Sequence, residues 1–310
     1  MIKNQNYKEL VEEKDGIRLL GVTHFHPQHI FECGQCFRWH RIKENDNTSY
    51  QGIVHGKVLQ VSMEEDTVFI SNLTEKEFLK DFHHYFDFNR DYGLIKQVLK
   101  EDPVLKEAVD FGYGIRVLNQ DPFEILISFI LSSNNLITKI KDGIQKISHD
   151  YGSKITHEDD KNDAYYAFPT ALELSKATEE DLRKIGVGYR AKYIRGATKM
   201  VVDAQKNKGK LAPDLYKLEN MSSEKCHKAL LAYPGVGPKV ADCVMLFSMG
   251  KSEAFPVDVW VKKAMVHFYD SKENNLLKTR AFGQHLFGSY AGFAQQYLFY
   301  FAREKKIVLK

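Results

Sequence analysis

Several features are scarce in this 310-residue sequence, and each scarcity excludes a class of protein. Only 4 cysteines occur, Cys33, Cys36, Cys226 and Cys243, which is too few for a disulfide framework in a chain of this length. No apolar stretch reaches the roughly 18 residues of a membrane span, and the polar N-terminal residues do not resemble a signal peptide. We therefore expect no membrane association and a location in the cytoplasm or another reducing compartment.

An excess of one charge is also absent, because the net charge is +3 and the isoelectric point is near 8.4. A polyanionic partner must therefore be argued from local clusters. Residues 183–210 form one such cluster, with nine Lys or Arg and a single acid, Asp203. Most runs of this kind are solvated helix faces, and this run alone does not outweigh that interpretation.

Two structural units are expected from the length and from a change of pattern along the chain. Residues 17–71 are rich in β-branched and aromatic residues between turn signals, which is typical of an antiparallel sheet. Helical patterns begin at Thr74, which has the spacing of a capping box with Glu77. The sequence thus predicts an α+β protein, with a β-rich N-terminal domain at 1–117 and a larger all-α domain at 118–310.

Proline and glycine mark helix boundaries in the second unit. Asp121-Pro122 has the form of an N-cap followed by proline at the first helical position, ahead of a long apolar run. The segments 178–186 and 238–250 end at glycine, as helices often do. The aromatic-rich segment 290–304 predicts a further apolar helix.

The stretch LLAYPGVGPKVAD, residues 230–242, joins two helical patterns through a glycine turn and predicts a helix-hairpin-helix at about 222–250. Gly235 and Gly237 permit positive φ and a close approach of the backbone, while Pro238 suits the first helical position. A helix N-terminus with bare amides binds anions, and phosphate is the natural one. On the glycines alone, an ordinary turn between packed helices is the simpler interpretation.

Lys239 and Asp258 supply an amine and a carboxylate in and near this hairpin. Lys239 falls in the first turn of the second helix, where the helix dipole disfavours an ammonium ion, as a nucleophilic lysine requires. Asp258 precedes a helical run and has the position of an N-cap, which is the commoner role of such an aspartate. A capping aspartate aimed at the lysine would also stabilise a developing cation.

This combination resembles the helix-hairpin-helix superfamily of base-excision DNA glycosylases. The PGVGxK loop, followed 19 residues after its lysine by the aspartate of a PVD motif, is similar to the pattern of the bifunctional members. Those members cleave the glycosidic bond and then nick the strand. The resemblance implies that Lys239 is the nucleophile and Asp258 the catalytic aspartate.

Further features of the sequence narrow the resemblance. No cysteine follows Cys243, which argues against the iron–sulfur branches of the superfamily. Four motifs occur in order along the chain: GQCFRW at 34–39, QDP at 120–122, SSNN at 132–135 and GVGYRA at 186–191. These motifs and their order resemble those of the 8-oxoguanine DNA glycosylase family of eukaryotic type.

The resemblance implies a base-binding set of four residues. The Gly34 carbonyl would accept a hydrogen bond from N7–H of the oxidised base, a proton that guanine lacks. Cys243 and Phe299 would sandwich the flipped base, and Gln295 would bind its pyrimidine edge.

The resemblance also implies a DNA-binding set. Asn134 and Arg190 would contact the orphaned cytosine, and Tyr189 would wedge into the opened base stack. Gly235 and Gly237 of the hairpin would approach the phosphates of the strand.

Three positions depart from the family pattern. Lys139 stands where the family has an arginine that also reads the opposite cytosine, so a planar multi-donor contact becomes a point charge. We therefore expect weaker discrimination for cytosine opposite the lesion. Trp260, a further predicted DNA contact, replaces a histidine that contacts phosphate, and Leu136 replaces a third asparagine.

The resemblance further implies a monomer that acts on double-stranded DNA containing 8-oxoguanine, in the nucleoid of a prokaryote or the nucleus of a eukaryote. It implies no redox cofactor and no iron–sulfur cluster, and it is compatible with a monovalent or calcium ion on the hairpin backbone. A zinc site is a rival use for a histidine and cysteine group, but the spacing is not that of a finger or ribbon. This group comprises His24, His26, His29, Cys33 and Cys36.

Two alternative functions stay open. One is a glycosylase for another damaged base, which a panel of duplexes with single lesions would distinguish. The other is a non-catalytic helix-hairpin-helix DNA-binding protein, which would need neither Lys239 nor Asp258.

Overall fold

The computed structural model describes residues 6–156, 164–206, 213–271 and 275–306. Its strands are β1 (Glu9–Glu13), β2 (Gly16–Leu20), β3 (Trp39–Arg41), β4 (Ser49–Val54), β5 (Lys57–Glu64), β6 (Thr67–Ser71), β7 (Lys154–Ile155) and β8 (Tyr165–Tyr166). Its first helices are α1 (Pro27–Phe31), α2 (Glu75–Glu77), α3 (His83–Tyr85), α4 (Tyr92–Leu99), α5 (Pro103–Phe111), α6 (Pro122–Ser132) and α7 (Ile137–Tyr151). The later helices are α8 (Ala171–Leu174), α9 (Glu179–Ile185), α10 (Ala191–Lys206), α11 (Ser223–Leu230), α12 (Pro238–Ser248), α13 (Val259–Tyr269), α14 (Leu276–Phe287) and α15 (Ala291–Glu304).

The N-terminal unit is a six-stranded antiparallel sheet in the order β1-β2-β6-β5-β4-β3. In β4, Tyr50, Gly52 and Val54 are buried and alternate with half-buried neighbours, as one covered sheet face requires. The covered face has a hydrophobic core of its own, in which Phe31 of α1 stacks on Trp39 with ring centroids 4.0 Å apart. The sequence prediction lacked β1, because its residues ELVEE are mostly polar and exposed.

The helical unit has a second, larger core. Within it, α12 packs on α6, and α15 packs on both α13 and α5. Buried residues of α4 and α5, including Ile95 and Val109, belong to this core although they precede the predicted boundary at residue 117.

The long apolar run after Asp121 forms two helices rather than one. Asp121 caps α6 as predicted, since its side chain accepts hydrogen bonds from the backbone N–H groups of Phe123 and Glu124. The chain then leaves the helical path after Ser132, and Asn134 adopts a left-handed φ of 49° before α7 begins. The SSNN motif therefore begins at the last residue of α6 and continues as a loop before α7, in which Asn134 is exposed.

None of the described helices has the length and apolar character that crossing a membrane requires.

Candidate active site

The predicted helix-hairpin-helix is present as α11, a turn and α12. Gly235 has a φ of 81°, and a Cβ there would lie 2.7 Å from Cβ of Tyr193, so only glycine fits this point of the turn. Gly237 has an extended backbone, with φ −95° and ψ 178°, and it precedes α12 as the N-cap. Pro238 occupies the first turn of α12, as predicted from the sequence.

Lys239 lies in the first turn of α12 and points towards α6. Its Nζ is 3.4 Å from Oγ of Ser132 and 4.8 Å from the ring centroid of Phe129. Both partners are uncharged, and no carboxylate of the described residues lies within ion-pair distance of this amine. The lysine side chain is therefore half-buried between two helices instead of extending into solvent.

Asp258 is the N-cap of α13, where its Oδ1 accepts a hydrogen bond of 2.8 Å from the backbone N–H of Val261. Burial raises the pKa of this carboxyl above its usual value. Backbone hydrogen bonds from Val261 and Trp260, together with the nearby charge of Lys239, oppose that rise. This capping bond holds the carboxylate in the wall of a pocket, where it interacts electrostatically with Lys239.

A single pocket contains all the residues predicted to be catalytic or base-binding. These residues are Gly34, Lys239, Cys243, Asp258, Gln295 and Phe299. Further residues complete its wall: Cys33, Phe129, Phe247, Pro256 and Gln296. The pocket thus forms where the GQCFRW segment of the N-terminal unit meets helices α6, α12 and α15.

Gln295 carries an unsatisfied acceptor within this pocket. Its side chain is 4 % exposed, and its Oε1 has no hydrogen-bond partner among the described residues. A buried amide oxygen without a partner costs about 1–3 kcal/mol. The site therefore presents an acceptor that an N–H group of a bound molecule would satisfy.

Gly34 lies in a turn whose neighbouring carbonyls already accept hydrogen bonds. Gln296 Nε2 donates to the carbonyl of Cys33 at 2.5 Å, and Gln120 Nε2 donates to the carbonyl of Gln35 at 2.9 Å. No hydrogen bond from a described residue ends on the carbonyl of Gly34. This carbonyl is the acceptor that the turn leaves available.

The Gly34 backbone also requires glycine. Its φ is 83°, and a Cβ at this position would lie 2.8 Å from Cε1 of Phe299. The ring of Phe299 consequently packs directly on the turn. A base that enters between Phe299 and Cys243 would contact the Gly34 backbone at the same time.

Cys243 lies one turn after Lys239 on α12 and is 2 % exposed. Burial raises the pKa of its thiol to about 12, so the side chain is a neutral thiol at physiological pH. It therefore offers an apolar, polarisable surface for a base and no competing nucleophile.

Two loops predicted to contact DNA, one with Asn134 and the other with Tyr189 and Arg190, are hydrogen-bonded to each other. Arg190 Nη2 donates to the carbonyls of Ser133 and Asn134 at 2.6 and 2.7 Å, and the hydroxyl of Tyr189 donates to Ser133 at 3.3 Å. Tyr189 is 48 % exposed, as a wedge residue would be, whereas Arg190 is only 8 % exposed. In this structure Arg190 holds the SSNN loop in place and does not extend towards solvent.

The remaining predicted DNA contacts lie at the rim. Lys139 is exposed near the start of α7. Trp260 lies two residues after Asp258, and the Nζ of Lys263 is 5.3 Å from its ring centroid.

The basic run at residues 183–210 is partly neutralised by ion pairs. Arg183 pairs with Glu179 at 2.7 Å and Lys184 with Glu180 at 3.0 Å, so these two cations belong to a solvated helix face. Lys208 and Lys210 lie outside the described residues.

Several site residues were missed by sequence reasoning. Phe129 and Ser132 contact the lysine. Ser132 begins the SSNN motif but was assigned no role, and its i, i+3 spacing from Phe129 is the signal that places the two on one helix face. Arg303 lies with its guanidinium carbon 5.2 Å from the Phe299 ring centroid and donates from Nη2 to the carbonyl of Glu32. Nothing in the sequence indicates this link, because it joins positions 271 residues apart.

Two histidines of the histidine-rich segment contact polar groups elsewhere in the fold. His29 Nδ1 accepts a hydrogen bond of 3.0 Å from the backbone N–H of Gly114, and His24 Nδ1 lies 3.0 Å from Nζ of Lys96. Across the described ranges, no group of three or more His, Cys, Asp or Glu side chains is arranged to hold a metal ion.

Comparison with known proteins gives matches over nearly the whole chain. Residues 19–126 match the family described as 8-oxoguanine DNA glycosylase, N-terminal domain, and residues 127–286 match the HhH-GPD superfamily of base excision DNA repair proteins. The N-glycosylase/DNA lyase OGG1 of Arabidopsis thaliana is 33% identical over 290 residues, which is 87% of this chain and 75% of the relative. A probable N-glycosylase/DNA lyase of Methanothermobacter thermautotrophicus is 30% identical over 76% of this chain and 78% of the relative.

A solved structure is similar to this protein over a still larger share of the chain. It is the Clostridium acetobutylicum 8-oxoguanine glycosylase/lyase in complex with double-stranded DNA that has cytosine opposite 8-oxoguanine. The TM-score is 0.91 at 46% identity, and the match covers 98% of this chain and 100% of the other. Both matched domains, the shared fold and the joint presence of Lys239 and Asp258 in one pocket show that the chain belongs to the 8-oxoguanine DNA glycosylase family of base-excision-repair N-glycosylase/DNA lyases.

Proposed function

We propose that this protein removes 8-oxoguanine from double-stranded DNA and then nicks the strand at the abasic site. The observation that carries the proposal is the composition of one pocket. An amine (Lys239) and a carboxylate (Asp258) share it with an available carbonyl (Gly34) and an unsatisfied buried acceptor (Gln295). A protein that only binds DNA would not need this set, whereas a base-excising lyase uses each member.

The reaction begins with extrusion of the target nucleotide, which costs a few kcal/mol of stacking and pairing. Tyr189 and Asn134 fill the gap, and the base enters between Cys243 and Phe299. Because 8-oxoguanine has a proton on N7, it donates to the Gly34 carbonyl, whereas guanine would place a lone pair against that oxygen. Gln295 Oε1 accepts an N–H of the pyrimidine edge.

The amine of Lys239 then attacks C1′ of the sugar. The bond from C1′ to the base breaks, the base leaves with that electron pair, and the Asp258 carboxylate stabilises the cation-like transition state. The sugar ring opens as the amine forms a Schiff base. Loss of a proton from C2′ then expels the 3′ phosphate by β-elimination, which nicks the strand.

The experiment is borohydride trapping on duplexes that each carry one lesion. Wild-type protein should form a covalent adduct with the 8-oxoguanine duplex, and Lys239→Gln should form none. Lys225→Gln, which removes an exposed lysine of α11, is the matched control and should trap as wild type does. Absence of a wild-type adduct would favour the non-catalytic DNA-binding alternative, and a stronger adduct with another lesion would identify a different substrate base.

The proposal includes a monomer that acts without a prosthetic group, in the compartment that holds the DNA. It also includes a monovalent or calcium ion at the hairpin. The backbone carbonyls of Leu231 and Val236 accept no hydrogen bond from the described residues, so they suit such an ion. Titration with potassium or calcium should raise the melting temperature if this part of the proposal is correct.

A further inference from the structure

A second cavity, of about 480 Å³, lies between strand β3 and helix α7. We name it the β3–α7 groove. Phe37 separates it from the catalytic pocket, because this ring lines the groove and packs against Phe129 with centroids 5.5 Å apart. Phe129 in turn lines the catalytic pocket, so the two cavities lie on opposite sides of this aromatic pair. The volume is within the range of about 300–1,000 Å³ that is usual for small-molecule sites.

The groove carries positive charge. Its cations are Lys141 and Arg38, and no Asp or Glu among the described residues lines it. Lys141 Nζ donates to the backbone carbonyl of Trp39 at 3.1 Å and forms no ion pair with a described carboxylate. Arg38 is partly compensated, since its Nη1 is 3.8 Å from Glu124. The ammonium of Lys141 is therefore available for an anion.

Aromatic rings form the other part of the groove. Tyr165 and Tyr166 of β8 lie opposite α7, and the ring of Tyr166 meets that of His149 edge-on with centroids 4.8 Å apart. The hydroxyl of Tyr165 accepts a hydrogen bond of 2.9 Å from Gln51, which fixes this ring against β4. Arg38 donates to the backbone carbonyl of Tyr166 and so holds β8 at the groove.

Polar groups suited to the edge of a base complete the lining. Gln145 of α7 presents an amide and His40 of β3 a ring nitrogen, whereas the hydroxyl of the buried Ser148 donates to the carbonyl of Ile144 at 2.9 Å. Desolvation, with the nearby charge of Lys141, lowers the pKa of the His40 ring and so favours its neutral form, which both donates and accepts hydrogen bonds.

We propose that the β3–α7 groove binds a nucleoside monophosphate, with the phosphate on Lys141 and the base stacked on Tyr166. A phosphate matches Lys141, which has no carboxylate partner among the described residues, and a base matches the aromatic wall, on which it can stack. The cavity accommodates one nucleotide. Its source is either a free nucleotide or the phosphorylated end of a nicked strand.

The test measures binding of dGMP to the full-length protein by calorimetry. A duplex with a stable abasic analogue is added in excess, so that the catalytic pocket is occupied. We expect saturable binding that Lys141→Gln weakens about tenfold, since a charge-assisted hydrogen bond is lost. Lys141→Arg should restore binding, and Tyr166→Leu should weaken it. Lys146→Gln is the matched control, because Lys146 is exposed on the same helix and pairs with Asp142 outside the groove.

Additional ligands test which parts of the nucleotide the groove recognises. Deoxyguanosine and inorganic phosphate should each bind more weakly than dGMP, because each supplies half of the contacts. A 5′-phosphorylated trinucleotide separates the sources: binding as tight as that of dGMP indicates a strand end, and weaker binding indicates a free nucleotide. The proposal is overturned if dGMP does not bind, if Lys141→Gln binds it as wild type does, or if the abasic duplex displaces it. None of these results depends on whether 8-oxoguanine is the excised base.

Discussion

The side-chain amide of Gln296 donates a hydrogen bond of 2.5 Å to the carbonyl of Cys33, which lies 263 residues earlier in the chain. This bond fastens helix α15 of the helical unit to a turn of the N-terminal unit. Because Gln120 occupies the carbonyl of Gln35 in the same way, Gly34 keeps the free carbonyl of the turn. The acceptor expected to recognise the lesion is thus fixed by two glutamines, Gln296 and Gln120, to which the sequence assigned no contact with the base.

Gly34→Ala should reduce excision of 8-oxoguanine at least about tenfold. The alanine would have to adopt a φ of 83°, at a cost of about 1–2 kcal/mol, and its Cβ would displace the Phe299 ring. Single-turnover excision on an 8-oxoguanine duplex measures the effect. Gly56→Ala is the control, since Gly56 has a φ of 73° with no atom within 4 Å of an added Cβ. It should lose similar stability yet keep its excision rate, and an equal loss of rate in both variants would refute the explanation.

Asp258→Asn should abolish most activity while stabilising the fold. Burial raises the pKa of Asp258, so the folded protein binds this proton more tightly than the unfolded chain. Stability therefore falls as pH rises from the unfolded pKa through the folded pKa, and the charged form is a cost at neutral pH. Asparagine removes the charge and keeps an N-cap acceptor for Val261.

We expect a higher melting temperature at pH 7 and an excision rate about 100- to 1,000-fold lower, as for other lost electrostatic contacts. Asp91→Asn, at the N-cap of α4, is the control and should leave the rate unchanged. A destabilised Asp258→Asn would show that its charge contributes to the fold.

Lys96 should make the free energy of unfolding rise with pH in the neutral to alkaline range. Burial lowers its pKa to about 6 from the ordinary value of 10.5, and the charge of Arg116 adds to the effect. The unfolded chain thus binds more protons between these two values, and stability rises with pH across that window. Relative to Lys96→Met, the wild type should gain up to about 1.4 kcal/mol per pH unit. Urea unfolding from pH 6.5 to 9 measures the difference, which should be absent for Lys106→Met, a change at an exposed site on α5.

Arg280→Met should destabilise the protein by about 3–5 kcal/mol, because it leaves the buried carboxylate of Asp242 without its hydrogen-bonded cation. Asp242 lies on α12 and is fully buried. Arg280 donates to its two oxygens at 2.5 and 2.8 Å, and Nε2 of His227 lies 3.6 Å from it. The double variant with Asp242→Asn should be more stable than Arg280→Met alone. The exposed pair of Arg183 and Glu179 is the comparison, and Arg183→Met should cost less than about 1 kcal/mol.

Lys139→Arg should sharpen the preference for cytosine opposite the lesion. A guanidinium restores planar, multi-donor recognition, for which a good bidentate contact contributes about 1–3 kcal/mol of discrimination. The ratio of excision rates opposite cytosine and opposite adenine should therefore rise about fivefold or more. Lys146→Arg should leave that ratio unchanged. An already strict wild type would contradict the expectation drawn from Lys139.

Local signals in the sequence were reliable where neighbouring residues alone decide the structure. The capping box at Thr74, the N-cap at Asp121, the left-handed glycine at Gly186 and the capping position of Asp258 are all confirmed. Each depends on hydrogen bonds within one helical turn, so a few consecutive residues suffice to specify it. Strand β1 was missed because its residues are mostly polar and exposed, although it pairs with the adjacent strand β2. The break in the helix after Ser132 was missed because Arg190, 57 residues away from Ser133, holds the loop.

The sequence by itself determined the α+β class, the hairpin, and the order of the motifs that carry Lys239 and Asp258. Only the tertiary structure decided that the lysine points into a pocket, that Gly34 keeps the free carbonyl, and that Arg190 is used to hold the SSNN loop. The β3–α7 groove likewise exists only where two distant segments meet. The reason is physical. Side-chain direction and the partners of hydrogen bonds that span 57 to 271 residues depend on packing of the whole chain, and no short stretch of sequence contains that information.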